Sequence, residues 1–166
     1  MVVVYISIQV YDARMFRSKG NISAIQWDQN IAYGVGLLTS DGNLSPDGRH
    51  FYFVSIDREL VENIKKAFRL KNKIALRSRS RGGVEKYYVI QFGSVALYKA
   101  LNKIGINAAK SKTIRHVLVP RTYFSDFLRG LFDGDGTFYT FWVKRWANSF
   151  GYQLSFASAS FQFINW

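Results

Sequence analysis

Cysteine is missing from this 166-residue chain, which excludes disulfides, thiolate metal sites and a cysteine nucleophile. Histidine is nearly missing too: His50 and His116 stand alone and read as polar surface groups rather than as ligands or bases. Acids are scarce, 11 against 23 Lys and Arg, for a formal net charge of +12. The shortage is concentrated between Ile64 and Arg121, where fifteen Lys and Arg meet the single acid Glu85. A folded segment that basic repels itself unless it faces a polyanion, and phosphate backbones are the commonest polyanion available. Long apolar runs are also lacking. The opening stretch Met1 to Val10 is broken by Tyr11-Asp12-Ala13-Arg14, too early for a membrane span, and it has neither a basic leader nor a small-residue cleavage site. A strand, or sequence foreign to the domain, is expected there, in an intracellular protein without a membrane partner. An apolar fraction of 48% excludes disorder, and the length suits one core or two packed halves.

The pattern along the chain divides it into an extension (1–28), a first unit (29–119) and a shorter second unit (120–166). Arg17 to Asn21 is polar connector. From Gln29 the spacing of Tyr33, Leu37 and Leu38 predicts a helix that Asp41-Gly42 stops. Ser45-Pro46-Asp47-Gly48 predicts a turn, and Phe51 to Val54 a strand. Asp57 reads as the N-cap of a helix carrying Leu60, Val61, Ile64 and Phe68. A second hairpin pairs Lys73–Ser80 with Glu85–Phe92 across Arg81-Gly82-Gly83, and a helix from Ser94 to about Ile104 closes the unit. The class is α+β, with an αββαββα order. After a basic linker, Tyr123 to Asp135 is again helical, with Phe124, Leu128, Leu131 and Asp135 on one expected face. Two strands follow, Thr137–Val143 and Tyr152–Ala157. The second unit then lacks its second hairpin and closing helix, so a second chain completing it is an expected partner.

Gly36-Leu37-Leu38-Thr39-Ser40-Asp41-Gly42 and Gly130-Leu131-Phe132-Asp133-Gly134-Asp135-Gly136 repeat one phrase, 94 positions apart. Each copy closes a helical pattern and opens a strand-like one, which marks a structural junction used twice. A carboxylate in the last turn of a helix faces the partial negative charge of free carbonyls, a misplacement of a few tenths to about 1 kcal/mol. Two such misplacements in register call for a shared cause. If the two helices pack closely through Gly34, Gly36 and Gly130, Asp41 and Asp135 emerge together and repel one another unless a cation lies between them. Oxygen ligands with open positions suit Mg²⁺, which supports phosphodiester hydrolysis. An EF-hand reading of Asp133-Gly134-Asp135-Gly136 fails for want of its other ligands.

The paired phrases resemble the signature motifs of LAGLIDADG homing endonucleases, and the αββαββα order is similar to one repeat of that family. The resemblance covers residues 27–160, with departures at Gly34-Val35 and Thr39-Ser40. It implies two motif helices at the centre and antiparallel sheets forming a saddle in the DNA major groove. It also implies Asp41 and Asp135 as catalytic acids that hold magnesium, and a lysine near the scissile phosphates in Asn107–Thr113, either Lys110 or Lys112. The implied activity is site-specific cleavage of both strands of duplex DNA. The alternative is a non-cleaving DNA- or RNA-binding relative: a decayed remnant, a regulator or an intron-splicing maturase.

Alternation places Lys73, Arg77, Arg79 and Arg81 on one side of a strand and Ile74 and Leu76 on the other. With Arg49 and Lys86 from neighbouring strands they are the candidate DNA-binding residues. The plentiful aromatics, 14 Phe, 10 Tyr and 4 Trp, are expected mostly in the core.

Overall fold

The computed structural model describes residues 3–4, 25–78, 86–145 and 149–165. Helix α1 (Gln29–Ser40) begins where Asp28 accepts the Ile31 amide at 2.7 Å, a cap worth about 1 kcal/mol. It ends at Asp41, whose N–H still donates to Leu37 O. A hairpin follows, built of β2 (Asn43–Leu44) and β3 (His50–Ser55). In its turn Gly48 takes φ +80°, and Asp47 accepts the Arg49 and His50 amides and pairs with the His50 ring. Helix α2 (Arg58–Ala67) is capped by Asp57, β4 (Ala75–Ser78) pairs with β5 (Lys86–Gly93), and α3 (Val95–Lys103) is capped by Ser94. The expected αββαββα order is present, although β4 starts two residues later than the pattern suggested.

These four strands form one antiparallel sheet in the order β2-β3-β5-β4. Strand alternation sends Phe51, Phe53, Ile90 and Phe92 to one face, where they are buried beneath the helices. Cross-strand partners Phe51 and Phe92 stack at 4.8 Å, and Tyr98 of α3 tilts onto Phe51 at 5.7 Å. Tyr52 and Gln91, also partners, are exposed on the opposite face.

Beyond α3 the chain forms a short helix, α4 (Lys110–Thr113), inside what the sequence presented as a basic linker. A 3-10 turn (Arg121–Tyr123) leads into α5 (Phe124–Asp135), then the hairpin β6 (Gly136–Trp142) and β7 (Phe150–Ala157), and α6 (Phe161–Ile164). Strand β1 (Val3–Val4) pairs with β7 at Ala157 and Phe156, so the second sheet reads β1-β7-β6. Val3–Val4 are therefore attached to the second sheet. Among the described residues no helix is long and apolar enough to cross a membrane.

Helices α1 and α5 run side by side in the same direction, in backbone contact. A Cβ on Gly36 would lie 2.2 Å from Phe127 O, and one on Gly130 would lie 2.1 Å from Tyr33 O. Two glycine expectations therefore hold and the third does not: Gly34 faces Ala67 and Phe68 of α2 instead. The buried side of α5 also differs from the expected one. Phe127, Gly130 and Leu131 are inside, whereas Phe124 and Leu128 are exposed, because glycine rather than bulk sets which side can approach another backbone. The aromatics divide similarly. Phe138, Trp142, Phe150 and Tyr152 are exposed rather than in the core, since among the described residues no helix layer covers that face of the second sheet as α2 and α3 cover the first.

Candidate active site

The helix seam delivers two carboxylates to one place. Asp41 caps α1 and Asp135 ends α5. Gly134 presses against the end of α1, where an added Cβ would lie 1.9 Å from Ser40 Oγ and 3.3 Å from Asp41 Oδ2. The missing side chain lets the last turn of α5 close onto Asp41. Burial pushes the Asp135 carboxyl up to about 6, and the nearby charge of Asp41 pushes in the same direction. Asp41 is the more open residue by surface exposure, yet desolvation of its carboxyl also raises it.

The third charge is Lys110. Its side chain is only 6% exposed, and Nζ donates to Ser40 O, a C-terminal carbonyl of α1, at 2.9 Å. Burial lowers the ammonium, while the charges of Asp135 and Asp41 hold it up. A cation at a helix C-terminus opposes the partial negative charge there, and this one also feels the charges of both carboxylates. Lys112 lies on the same short helix but is exposed, so the structure brings Lys110 to the carboxylates and leaves Lys112 outside.

What turns Lys110 inward is the backbone before it. Ala109 has φ +56°, a left-handed conformation that costs an L-residue roughly 1–2 kcal/mol. Replacing Ala109 with glycine should remove most of that strain and raise the thermal midpoint by about 2–5 °C, read by circular dichroism. A lower midpoint would mean that the turn is not held in that conformation.

Beside these charges runs a cleft of about 320 Å³ lined by Ser40, Lys110, Ser111, Asp135 and Ser158, among others. Ser160 donates to Ile114 O, tying the strand end of the second unit to the segment carrying Lys110. Among the described residues no group of three or more Asp, Glu and His forms a closed metal cage. Asp41 and Asp135 do fit a hard divalent ion. Both are oxygen ligands, their mutual repulsion is relieved by a cation, and the open cleft leaves positions for water and phosphate oxygens.

The basic residues separate by face. Arg77 is the cross-strand partner of Tyr87, and with Lys73, Asn72, Tyr52 and Gln91 it lines a shallow concavity on the outer face of the first sheet. Lys86 pairs with Ser78 one step along the ladder, so it belongs to the opposite face. Arg49 is exposed at the end of the first hairpin, away from that concavity. Arg79 and Arg81 lie outside the described residues. Sequence reasoning missed Asn72, Tyr52 and Gln91. The position of Tyr52 between two buried phenylalanines was the available signal for an outward side chain.

No family model matches the sequence, and no curated protein matches it. Solved structures resemble it in outline. The LAGLIDADG homing endonuclease I-GzeII in complex with its DNA target is 12% identical, with a TM-score of 0.44 over 75% of this chain and 64% of that one. The I-LtrWI LAGLIDADG homing endonuclease bound to target DNA is 13% identical, with a TM-score of 0.42 over 81% of this chain and 66% of that one. Full-length WhiA from Thermatoga maritima is 13% identical, with a TM-score of 0.42 over 78% of this chain and 46% of that one. The chain thus spans less than two thirds of the length of each of these relatives.

Proposed function

We propose that this chain is a LAGLIDADG-type endonuclease that cleaves duplex DNA with a divalent metal, magnesium being the natural candidate. The observation that carries the reading is the meeting of Asp41, Asp135 and Lys110 at the end of the α1–α5 seam, beside an open cleft. Asp41 and Asp135 would hold the ion. When bound, such an ion supplies charge to a phosphoryl oxygen and eases attack by water. Lys110 adds a fixed positive charge where negative charge accumulates on the phosphate, and its bond to Ser40 O keeps it from swinging into solvent. Lys73 and Arg77 grip the duplex from the outer face of the first sheet, and Tyr52 and Gln91 supply groups for base edges. Incubating the chain with a randomised duplex library and Mg²⁺, with a chelator control, tests the reading: metal-dependent cleavage of a subset of sequences is expected. Retention of duplexes without any cut would transfer the assignment to a non-cleaving binder.

That second reading has one observation in its favour. The outer face of the second hairpin presents Thr137, Tyr139, Phe141, Gln153 and Ser155, with no Lys or Arg, so its grip on phosphate differs from that of the first sheet. Binding by the first sheet is separately testable. If Lys73 and Arg77 contact phosphates, Lys73→Ala and Arg77→Ala should each flatten the slope of log affinity against log salt by about 0.9, measured by fluorescence anisotropy with a duplex. An unchanged slope in both variants would remove this face from the interface.

A further inference from the structure

Apart from tyrosines, the polar side chains buried among the described residues are Thr39, Lys110 and Ser160. Thr39 is satisfied locally, because its hydroxyl donates to Val35 O one turn back in its own helix. The other two both act on α4. Lys110, at its start, donates to Ser40 O at the end of α1, and Ser160, at the head of α6, donates to Ile114 O at its close. A four-residue helix entered through the left-handed Ala109 does not hold itself, since a single turn forms too few hydrogen bonds to offset the ordering of its backbone. Its position is set by what grips its two ends.

The grip at the close of α4 reaches Lys110 through the backbone. Ile114 N–H donates to Lys110 O at 2.8 Å, so the two residues move as one turn. The Ser160 hydroxyl also accepts the Phe163 amide at 3.4 Å, and the Phe163 ring packs against the core. One hydroxyl therefore joins the end of α4 to the start of α6. We propose that Ser160 is a positioning residue for Lys110: it anchors α4 to the second unit and so holds the ammonium at the end of α1, beside Asp41 and Asp135. Ser160 does not line the cleft, so it acts only through the turn it holds. Without its hydroxyl the carbonyl of buried Ile114 loses its donor, and α4 is free to swing away from Ser40. The consequence for cleavage rests on the nuclease reading above, whereas the placement of the side chain does not.

Labelling the amines of the full chain with acetic anhydride, read by mass spectrometry at Lys110 against exposed Lys112 of the same helix, follows the placement without any cut. In the parent, Lys110 is 6% exposed and bonded to Ser40 O, so it should label slowly. Ser160→Ala should speed its labelling about tenfold relative to Lys112, the change in open population that losing one buried hydrogen bond gives, and Ser160→Cys, a weaker donor of similar size, should fall between. Gly48→Ala strains the turn of the first hairpin and should leave the ratio as in the parent, which separates local release from general loosening. On a cleavable duplex, Ser160→Ala should lower the single-turnover rate about tenfold at unchanged affinity, and should take nothing further from the residual rate in a Lys110→Ala background. Labelling of Lys110 at the parent's rate in Ser160→Ala, or an equal rise in Gly48→Ala, would overturn the proposal. A parent that cuts nothing removes the nuclease reading and leaves the labelling ratio to decide the placement. Should Ser160→Ala not fold, Ser160→Cys decides by the same ratio.

Discussion

Gly130→Ala should lower the thermal midpoint by about 10 °C, among the largest losses any single methyl can cause in this chain. The added methyl would sit 2.1 Å from Tyr33 O and 3.1 Å from Leu37 N, both backbone atoms that cannot rotate away. The helices must separate, breaking contacts along the whole seam, at a cost of about 3 kcal/mol or more. Against a typical total stability of roughly 5–15 kcal/mol, that is a large share, equivalent to a fall of about 10 °C in the midpoint. Gly36→Ala meets Phe127 O at 2.2 Å and should behave the same way. Because either methyl opens the same gap, the double variant should lose clearly less than the sum of the two. Gly48 supplies the contrast. It has φ +80° and nothing within 4 Å of an added Cβ, so Gly48→Ala should cost only roughly 1–2 kcal/mol of backbone strain. Thermal and urea denaturation of the three variants check the ranking. A Gly130→Ala protein as stable as the parent would mean that the seam is looser than described.

The features legible in the sequence were those with local causes. The cap at Asp57, the helix start at Ser94, the Asp47-Gly48 turn and the stop at Asp41 each depend on a few neighbouring residues, and each lies where the pattern put it. The pairing of the two phrases was legible for a different reason: a repeated misplacement of charge demanded a shared environment, and the charges of Asp41, Asp135 and Lys110 do act on one another. What was not legible is nonlocal. Nothing in Val3-Val4 says that its hydrogen-bond partner is 152 or more positions away, at Phe156 and Ala157. Nor does the apolar period of α5 say that Phe127 rather than Phe124 is inside, since that depends on a glycine one turn further on. Lys86 groups with Arg77 in the sequence because both are basic and expected on neighbouring strands. Register, which only the β4–β5 ladder reveals, puts them on opposite faces.

Asp135→Asn should abolish cleavage while making the metal-free protein more stable at neutral pH. The sign follows from the raised carboxyl. In the folded chain it titrates at about 6, against an ordinary value of 3.8, so between those pH values the folded state holds more protons than the unfolded state. Stability from this group is therefore greatest below about pH 4, falls as the pH rises through the window, and stays reduced above about 6. Partial solvent access screens the effect, so the loss recovered by an uncharged amide is about 1–2 kcal/mol, or roughly 2–8 °C of midpoint at pH 7.5. Asp41 shifts in the same direction from a more open position, and Asp41→Asn should gain less. Divalent metal reverses the ranking. Ion binding favours the two charged carboxylates, so Mg²⁺ should raise the midpoint of the parent progressively as pH climbs through 6, and should leave Asp135→Asn nearly unmoved. Cleavage in the variant should fall by at least the roughly hundred- to thousandfold that removing one group stabilising charge at the reacting centre costs. Duplex affinity should persist, because the basic face built on Lys73 and Arg77 is untouched. Melting curves with and without Mg²⁺ across pH 5–8, beside gel assays of binding and cutting, separate these outcomes. If parent and variant melt alike at every pH and metal concentration, the paired carboxylates are neither strained nor a metal site, and the nuclease reading falls with them.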